Sequence, residues 1–232
     1  MTVETLPDPA ALARHVADWL FDLVCAKDGA FALCLSGGST PRRLYELLGE
    51  PPFRDSFPWS RTHLFWGDER FVPPDDPRSN YRMVREALLS RVDIPAANVR
   101  PIPTQGLSPD DAAQRYERIL RGFHRADPDA PLFDVTLLGL GPDGHTASLF
   151  PGTAVLGETE RWASPVEGAM PEPRITLTYP ALENSRHVAF LVDGAAKRDI
   201  LARVLGGDAA LPAARLKPKG ELRWFVDRAA HP

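Results

Sequence analysis

The feature that most constrains this chain is an apolar run that stops abruptly in glycines. In Asp134-Val-Thr-Leu-Leu-Gly-Leu-Gly-Pro-Asp-Gly-His-Thr-Ala-Ser-Leu-Phe-Pro151, only Thr136 and Gly139 interrupt the apolar residues between Val135 and Leu140. That pattern suits a strand covered on both faces, as in parallel sheets. Gly139, Gly141 and Gly144 then let the chain turn sharply and leave backbone N–H groups free at the start of a short helix expected over about 145–150. The strand thus delivers Asp143 and His145 to its carboxyl end. Histidine is the side chain best able to take and give a proton near neutral pH, and Asp143 stands where it can orient His145 or balance its charge. The plain alternative is a connecting turn whose histidine only caps a helix.

The same strand-to-helix order recurs. Ala30 to Leu35 runs directly into Ser36-Gly-Gly-Ser-Thr-Pro41, after which Leu44, Tyr45, Leu47 and Leu48 mark a helix. Strand, glycine loop and helix N-terminus together can cradle a phosphate with backbone amides and hydroxyls, which makes Ser36, Gly37, Gly38, Ser39 and Thr40 binding candidates. The spacing is not that of a nucleotide P-loop, and no lysine follows it. His63 to Gly67 is a third strand, with Asp68-Glu69-Arg70 where it ends, the place where open α/β sheets put ligands. An irregular Pro73–Pro77 loop follows, then a helix from about Tyr81 to Arg91.

Further helices are expected from Asp8-Pro9 to Asp28 and from Ser108-Pro109 to His124, each opened by a cap and a proline. Beyond Pro151 the pattern weakens to loop, with one short strand around Trp162. Strands follow at Arg174–Thr178, Arg186–Val192 and Glu221–Val226, with a helix over Ala195–Leu205. Lys197 stands in that helix's first turn, against the helix dipole, in a chain where only four of the 27 basic side chains are lysines. A bound phosphate would account for it. The expected class is α/β: a doubly wound, mainly parallel sheet with helices on both faces, forming a single domain over residues 1–232.

Composition excludes several functions. A net charge of −4 gives no general attraction to nucleic acid or anionic membrane, so anionic ligands must be held by local basic groups. Two cysteines, Cys25 and Cys34, without metal or disulfide-framework spacing point to a reducing cytoplasm. No run approaches the ~20 apolar residues of a membrane span. Gly139-x-Gly141-x-x-Gly144 formally satisfies the dinucleotide fingerprint, but the helix after it ends at Pro151 and no second strand carries the acid about 20 residues on. There is no nucleophile elbow and no metal helix. What is left is acid–base chemistry on a small phosphorylated substrate, with no metal and no cofactor.

Four motifs, Ser36-Gly-Gly-Ser-Thr-Pro41, Trp66-Gly-Asp-Glu-Arg70 with Ser79-Asn-Tyr81, Gly139 to Pro151, and Arg174-Ile-Thr-Leu-Thr178, resemble in order those of the 6-phosphogluconolactonases. The resemblance spans nearly the whole chain and is loose only over Gly152–Pro173 and beyond Gly206. It implies a Rossmann-like fold shared with glucosamine-6-phosphate deaminases. The implied activity is hydrolysis of 6-phosphoglucono-δ-lactone to 6-phosphogluconate in the oxidative pentose phosphate pathway. By that resemblance His145 is base and then acid, and Asp143 orients it. Asp68 matches an acid of the deaminases and either takes part in proton transfer or holds sugar hydroxyls. Arg70 meets the oxyanion or the phosphate, and Ser36 to Thr40 with Arg174 and Lys197 form the phosphate cradle. The implied partner is a sugar-phosphate lactone, with neither nucleic acid nor membrane, bound by a monomer or homodimer. Two alternatives stand beside it. A deaminase-like enzyme would need an acid that Ser148-Leu-Phe-Pro151 does not supply, and a non-catalytic sugar-phosphate sensor would have no use for the Asp143–His145 pair.

Overall fold

The computed structural model describes residues 1–232. The strands of the main sheet are β1 (Thr2–Leu6), β2 (Phe31–Leu35), β3 (Thr62–Trp66), β5 (Val99–Arg100), β6 (Phe133–Leu138), β9 (Ser185–Val192) and β10 (Glu221–Asp227). All seven are parallel, in the order β1-β10-β9-β6-β2-β3-β5. Every residue of β2 and β6 is buried, as expected of central parallel strands covered on both faces. Three further strands, β4 (Asp68–Arg70), β7 (Ala163–Val166) and β8 (Arg174–Leu177), make a small antiparallel sheet in the order β4-β8-β7. The chain crosses from one sheet to the other at Gly67, whose amide donates to Leu35 O while its carbonyl accepts from Leu177 N, both at 2.8 Å.

The principal helices are α1 (Pro9–Ala26), α2 (Ser39–Leu48), α3 (Asn80–Val84, continued by a wider turn to Leu89), α4 (Pro109–His124) and α5 (Arg198–Leu205). Asp8 caps α1 by accepting from the amides of Ala10 and Ala11, and Ser108 caps α4 by accepting from Asp111 N. From β2 the chain steps one way to β3 and β5, then returns across β2 to β6, β9 and β10. Right-handed crossovers turn that reversal into helices on opposite faces. It also opens a crevice between the carboxyl ends of β2 and β6, the place where such sheets hold ligands.

Two buried tyrosines close the strand ends beside that crevice. Tyr45 of α2 donates its hydroxyl proton to Ser36 O and accepts from Ser36 N, both at 2.9 Å. Tyr116 of α4 does the same for Trp66, at 2.9 and 2.8 Å. Burial pushes both hydroxyls well above the ordinary tyrosine range, so they remain protonated donors. Around them 59 buried residues form one hydrophobic cluster, with Trp224 stacked on Phe190 at 3.9 Å between β10 and β9.

Two local expectations need correction, and one strand was not anticipated. Thr2–Leu6 is a strand, though its sequence shows little of one; pairing along β10 from Thr2↔Arg223 to Leu6↔Asp227 creates it. Residues 145–150 are not a helix. Gly144 and Ala147 have φ of 80° and 47°, and the segment folds as tight turns closed by a Thr146–Leu149 bridge. Lys197 lies in a 3-10 turn over Ala195–Lys197 ahead of α5, not in the α-helix itself.

Candidate active site

The crevice holds a cavity of about 310 Å³ lined by residues from five of the segments singled out in the sequence. Ser36, Gly37 and Gly38 come from the loop after β2, and Asp68 and Arg70 from β4. Gly139 to Pro142 and His145 come from the loop after β6, with Arg174 from β8 and Lys197 beyond β9. Asp143 stands behind His145, on a neighbouring depression rather than in the cavity.

His145 Nδ1 lies 2.5 Å from Asp143 Oδ1, which also accepts from the His145 amide at 3.1 Å. Burial pushes the Asp143 carboxyl up, but the bonds from the His145 ring and amide outweigh it, and the carboxyl sits below its ordinary value of 3.8. An ionised carboxylate can only accept, so Nδ1 carries a proton and the lone pair of Nε2 is free to act as a base. The ring is held from two more sides. It packs on Phe150 with centroids 4.5 Å apart, and a Cβ on Gly141 would stand 2.0 Å from Nδ1. Only glycine at 141 lets the imidazole lie so close to the backbone.

Arg70 and Arg174 sit directly opposite each other on the β4–β8 ladder. Arg174 is 7 % exposed, and the Nε atoms of both arginines are buried without a partner. Burial, followed by the charge of Arg70, pushes the Arg174 guanidinium down. Two like charges placed cross-strand repel unless an anion lies between them. Lys197 Nζ donates to Leu140 O at 2.7 Å, which aims its charge along the glycine turn after β6. Gly37 and Gly38 precede α2, and no backbone acceptor engages their amides.

Ser39 and Thr40 differ from their expected placement, and Asp68 lines the cavity with hydrogen-bond partners of its own. Asp68 is 8 % exposed; its Oδ2 accepts from Ser148 Oγ at 2.6 Å and its Oδ1 from Asn80 Nδ2 at 3.3 Å. These bonds tie Asp68 to Ser148 and Asn80 in the cavity wall. Ser39 and Thr40 form the first turn of α2 and do not line the cavity, and Thr40 Oγ1 donates to Asp193 Oδ1 at 2.7 Å. Of that loop, Ser36, Gly37 and Gly38 line the cavity.

Sequence reasoning missed Asn80, Ala147, Ser148, Phe150 and Met170, all of which line the cavity. Asn80 fills the space above Gly37, where a Cβ would come within 2.1 Å of its Oδ1. Asn80 stands in the Ser79-Asn-Tyr81 motif and Ala147, Ser148 and Phe150 in the Gly139–Pro151 motif, though none of them is singled out there as a site residue. Nowhere does a group of three or more His, Cys, Asp or Glu side chains come together as metal ligands. No helix is long and apolar enough to cross a membrane.

Fold and site thus define a class: Rossmann-like α/β proteins that hold a small anionic ligand at the sheet's switch point against a carboxylate–histidine pair. Residues 7–224 match the family of glucosamine-6-phosphate isomerases/6-phosphogluconolactonase, and the chain belongs to that family. It is 44 % identical to the 6-phosphogluconolactonase of Nostoc sp., over 99 % of this chain and 96 % of that one. Among solved structures, the 6-phosphogluconolactonase of Thermotoga maritima superposes with a TM-score of 0.83 at 35 % identity, over 98 % and 99 % of the two chains. A monomeric glucosamine-6-phosphate deaminase shares the fold with a TM-score of 0.83 at 20 % identity, over 99 % and 98 %.

Proposed function

We infer that the chain is a 6-phosphogluconolactonase, hydrolysing 6-phospho-D-glucono-1,5-lactone to 6-phosphogluconate in the oxidative pentose phosphate pathway. The observation that carries this reading is the Asp143–His145 pair, whose histidine lines a cavity flanked by Arg70, Arg174 and Lys197. The phosphate lies against the Gly37 and Gly38 amides and those three cations, which anchors the sugar and presents C1 to His145. Nε2 takes a proton from water as the oxygen attacks C1. The tetrahedral intermediate then collapses, the bond from C1 to the ring oxygen breaks, and Nε2 returns the proton to that oxygen. Asp143 keeps the imidazole in the required tautomer and balances its charge between the two transfers. Asp68 acts through Ser148 and Asn80 as a support of the wall.

A deaminase has less support. Ser148-Leu-Phe-Pro151 brings no carboxylate beside His145, and Asp68 is committed to Ser148 and Asn80. A sensor would need the cations but not the oriented base. Residues 1–232 act as one domain, a reading supported by the continuous 59-residue core. The setting is a reducing cytoplasm, with the chain a monomer or homodimer that binds no nucleic acid, supported by the net charge of −4 and two free cysteines. The test is decay of freshly generated lactone. The wild-type chain should exceed the spontaneous rate, and His145→Ala should lower kcat by about 10²–10⁴-fold while inorganic phosphate still protects it against heat. A wild-type chain that leaves the spontaneous rate unchanged sinks the reading.

A further inference from the structure

A buried carboxylate with no part in the proton transfers lies directly behind the cavity. Glu69 is 2 % exposed, and its two oxygens accept four hydrogen bonds. Oε1 accepts from the amides of Arg70 at 2.7 Å and Asn80 at 2.8 Å, and Oε2 from the amide of Tyr81 at 2.8 Å and the hydroxyl of Ser79 at 3.0 Å. Burial pushes the Glu69 carboxyl up, and the three backbone N–H groups partly offset that. One carboxylate thus joins the two ends of the irregular loop 71–78: Arg70 before it and Ser79 to Tyr81 after it.

That loop governs where Arg70 points. Arg70 Nη1 donates to Arg78 O at 2.5 Å, and Arg78 is the residue immediately before the clasped Ser79. Asn80, clasped by its amide, donates through its side chain to Asp68 O at 3.0 Å. We propose that Glu69 is a positioning residue for Arg70: by tying Ser79–Tyr81 to the end of β4, it holds the Arg78 carbonyl that aims the Arg70 guanidinium into the cavity. The proposal rests on the assignment of Arg70 to the substrate's phosphate.

A carboxylate suits this place because four converging donors need two acceptor oxygens. Glutamine has the same shape but one acceptor, so its NH2 would face two donors and leave them unsatisfied. The loop end would then release the Arg78 carbonyl, although the arginine itself is intact. A glutamate serving only as a cap on the short helix α3 would affect stability without acting through Arg70.

The experiment is a double-mutant cycle on the full chain with Glu69→Gln, Arg70→Leu and the double variant. It reads kcat and KM for lactone hydrolysis, the Kd for inorganic phosphate by calorimetry, and the melting temperature. Glu69→Gln should lower kcat/KM roughly ten- to a hundredfold, mainly through KM, and weaken phosphate binding in parallel. In the Arg70→Leu background it should change either quantity by less than about twofold. A Glu69→Gln effect that recurs in full in the Arg70→Leu background overturns the proposal, as does a folded Glu69→Gln with wild-type KM and Kd. If Glu69→Gln does not fold, Ser79→Ala, which removes one of the four donors, takes its place. Its loss of about threefold should again vanish in the Arg70→Leu background, and persistence there overturns the proposal. Phosphate coupling in a chain without lactonase activity would sink the functional reading and leave the clasp standing. Lactonase activity without coupling would do the reverse, and a wild-type chain that binds no phosphate overturns the clasp as stated.

Discussion

Gly141→Ala puts the geometry of the base to a quantitative test. A Cβ at 141 would stand 2.0 Å from His145 Nδ1 and 2.2 Å from Cε1, whereas nonbonded contact needs about 3.5 Å, so the ring must retreat by roughly 1.5 Å. Asp143 at 2.5 Å and Phe150 at 4.5 Å leave it no retreat that keeps both contacts. A displacement of that size removes the base from its attack geometry and should lower kcat by about 10²-fold, or about 2.7 kcal/mol in the barrier. Gly141 is not among the glycines with left-handed φ, so alanine adds no backbone strain there. The melting temperature should stay within about 4 °C of wild type. The assay is initial-rate lactone hydrolysis with the spontaneous rate subtracted, beside a thermal melt. A folded Gly141→Ala chain with kcat within about threefold of wild type would refute the tight seating of His145, and with it the tautomer argument.

Three further outcomes test the site. Arg174→Leu removes a buried guanidinium whose Nε lacks a partner and which faces Arg70 across the ladder, so the ligand-free chain should melt no lower than wild type while KM rises at least about tenfold; a lowered melt with unchanged KM would make Arg174 structural. Thr40→Val breaks the bond to Asp193 but removes nothing from the cavity, so KM should change by less than about threefold, and a larger rise would return Thr40 to the phosphate cradle. The Asp143 carboxyl is depressed below 3.8, so its stabilising contribution is fully present above that value and is lost as pH falls through the folded one. The gap in urea midpoint between wild type and Asp143→Asn should therefore close as pH falls below 3.8; a gap that persists undiminished in strong acid contradicts the sign.

Much of this molecule is legible in its sequence because the relevant physics is local. A largely apolar run such as Val135–Leu140 suits a strand covered on both faces, and the glycines at its end mark a turn. From these follow the parallel sheet, the candidate loops and the positions of Asp143, His145, Arg70, Arg174 and Lys197. Tertiary structure alone decided what depends on partners distant in the chain. Thr2–Leu6 becomes a strand because β10, some 220 residues away, supplies its hydrogen bonds. Asp68 accepts from Ser148, which arrives 80 residues later, and the Thr40 hydroxyl is taken by Asp193. A sequence shows which groups can accept or donate a proton; only the fold determines which have already been claimed, and so which remain for a substrate.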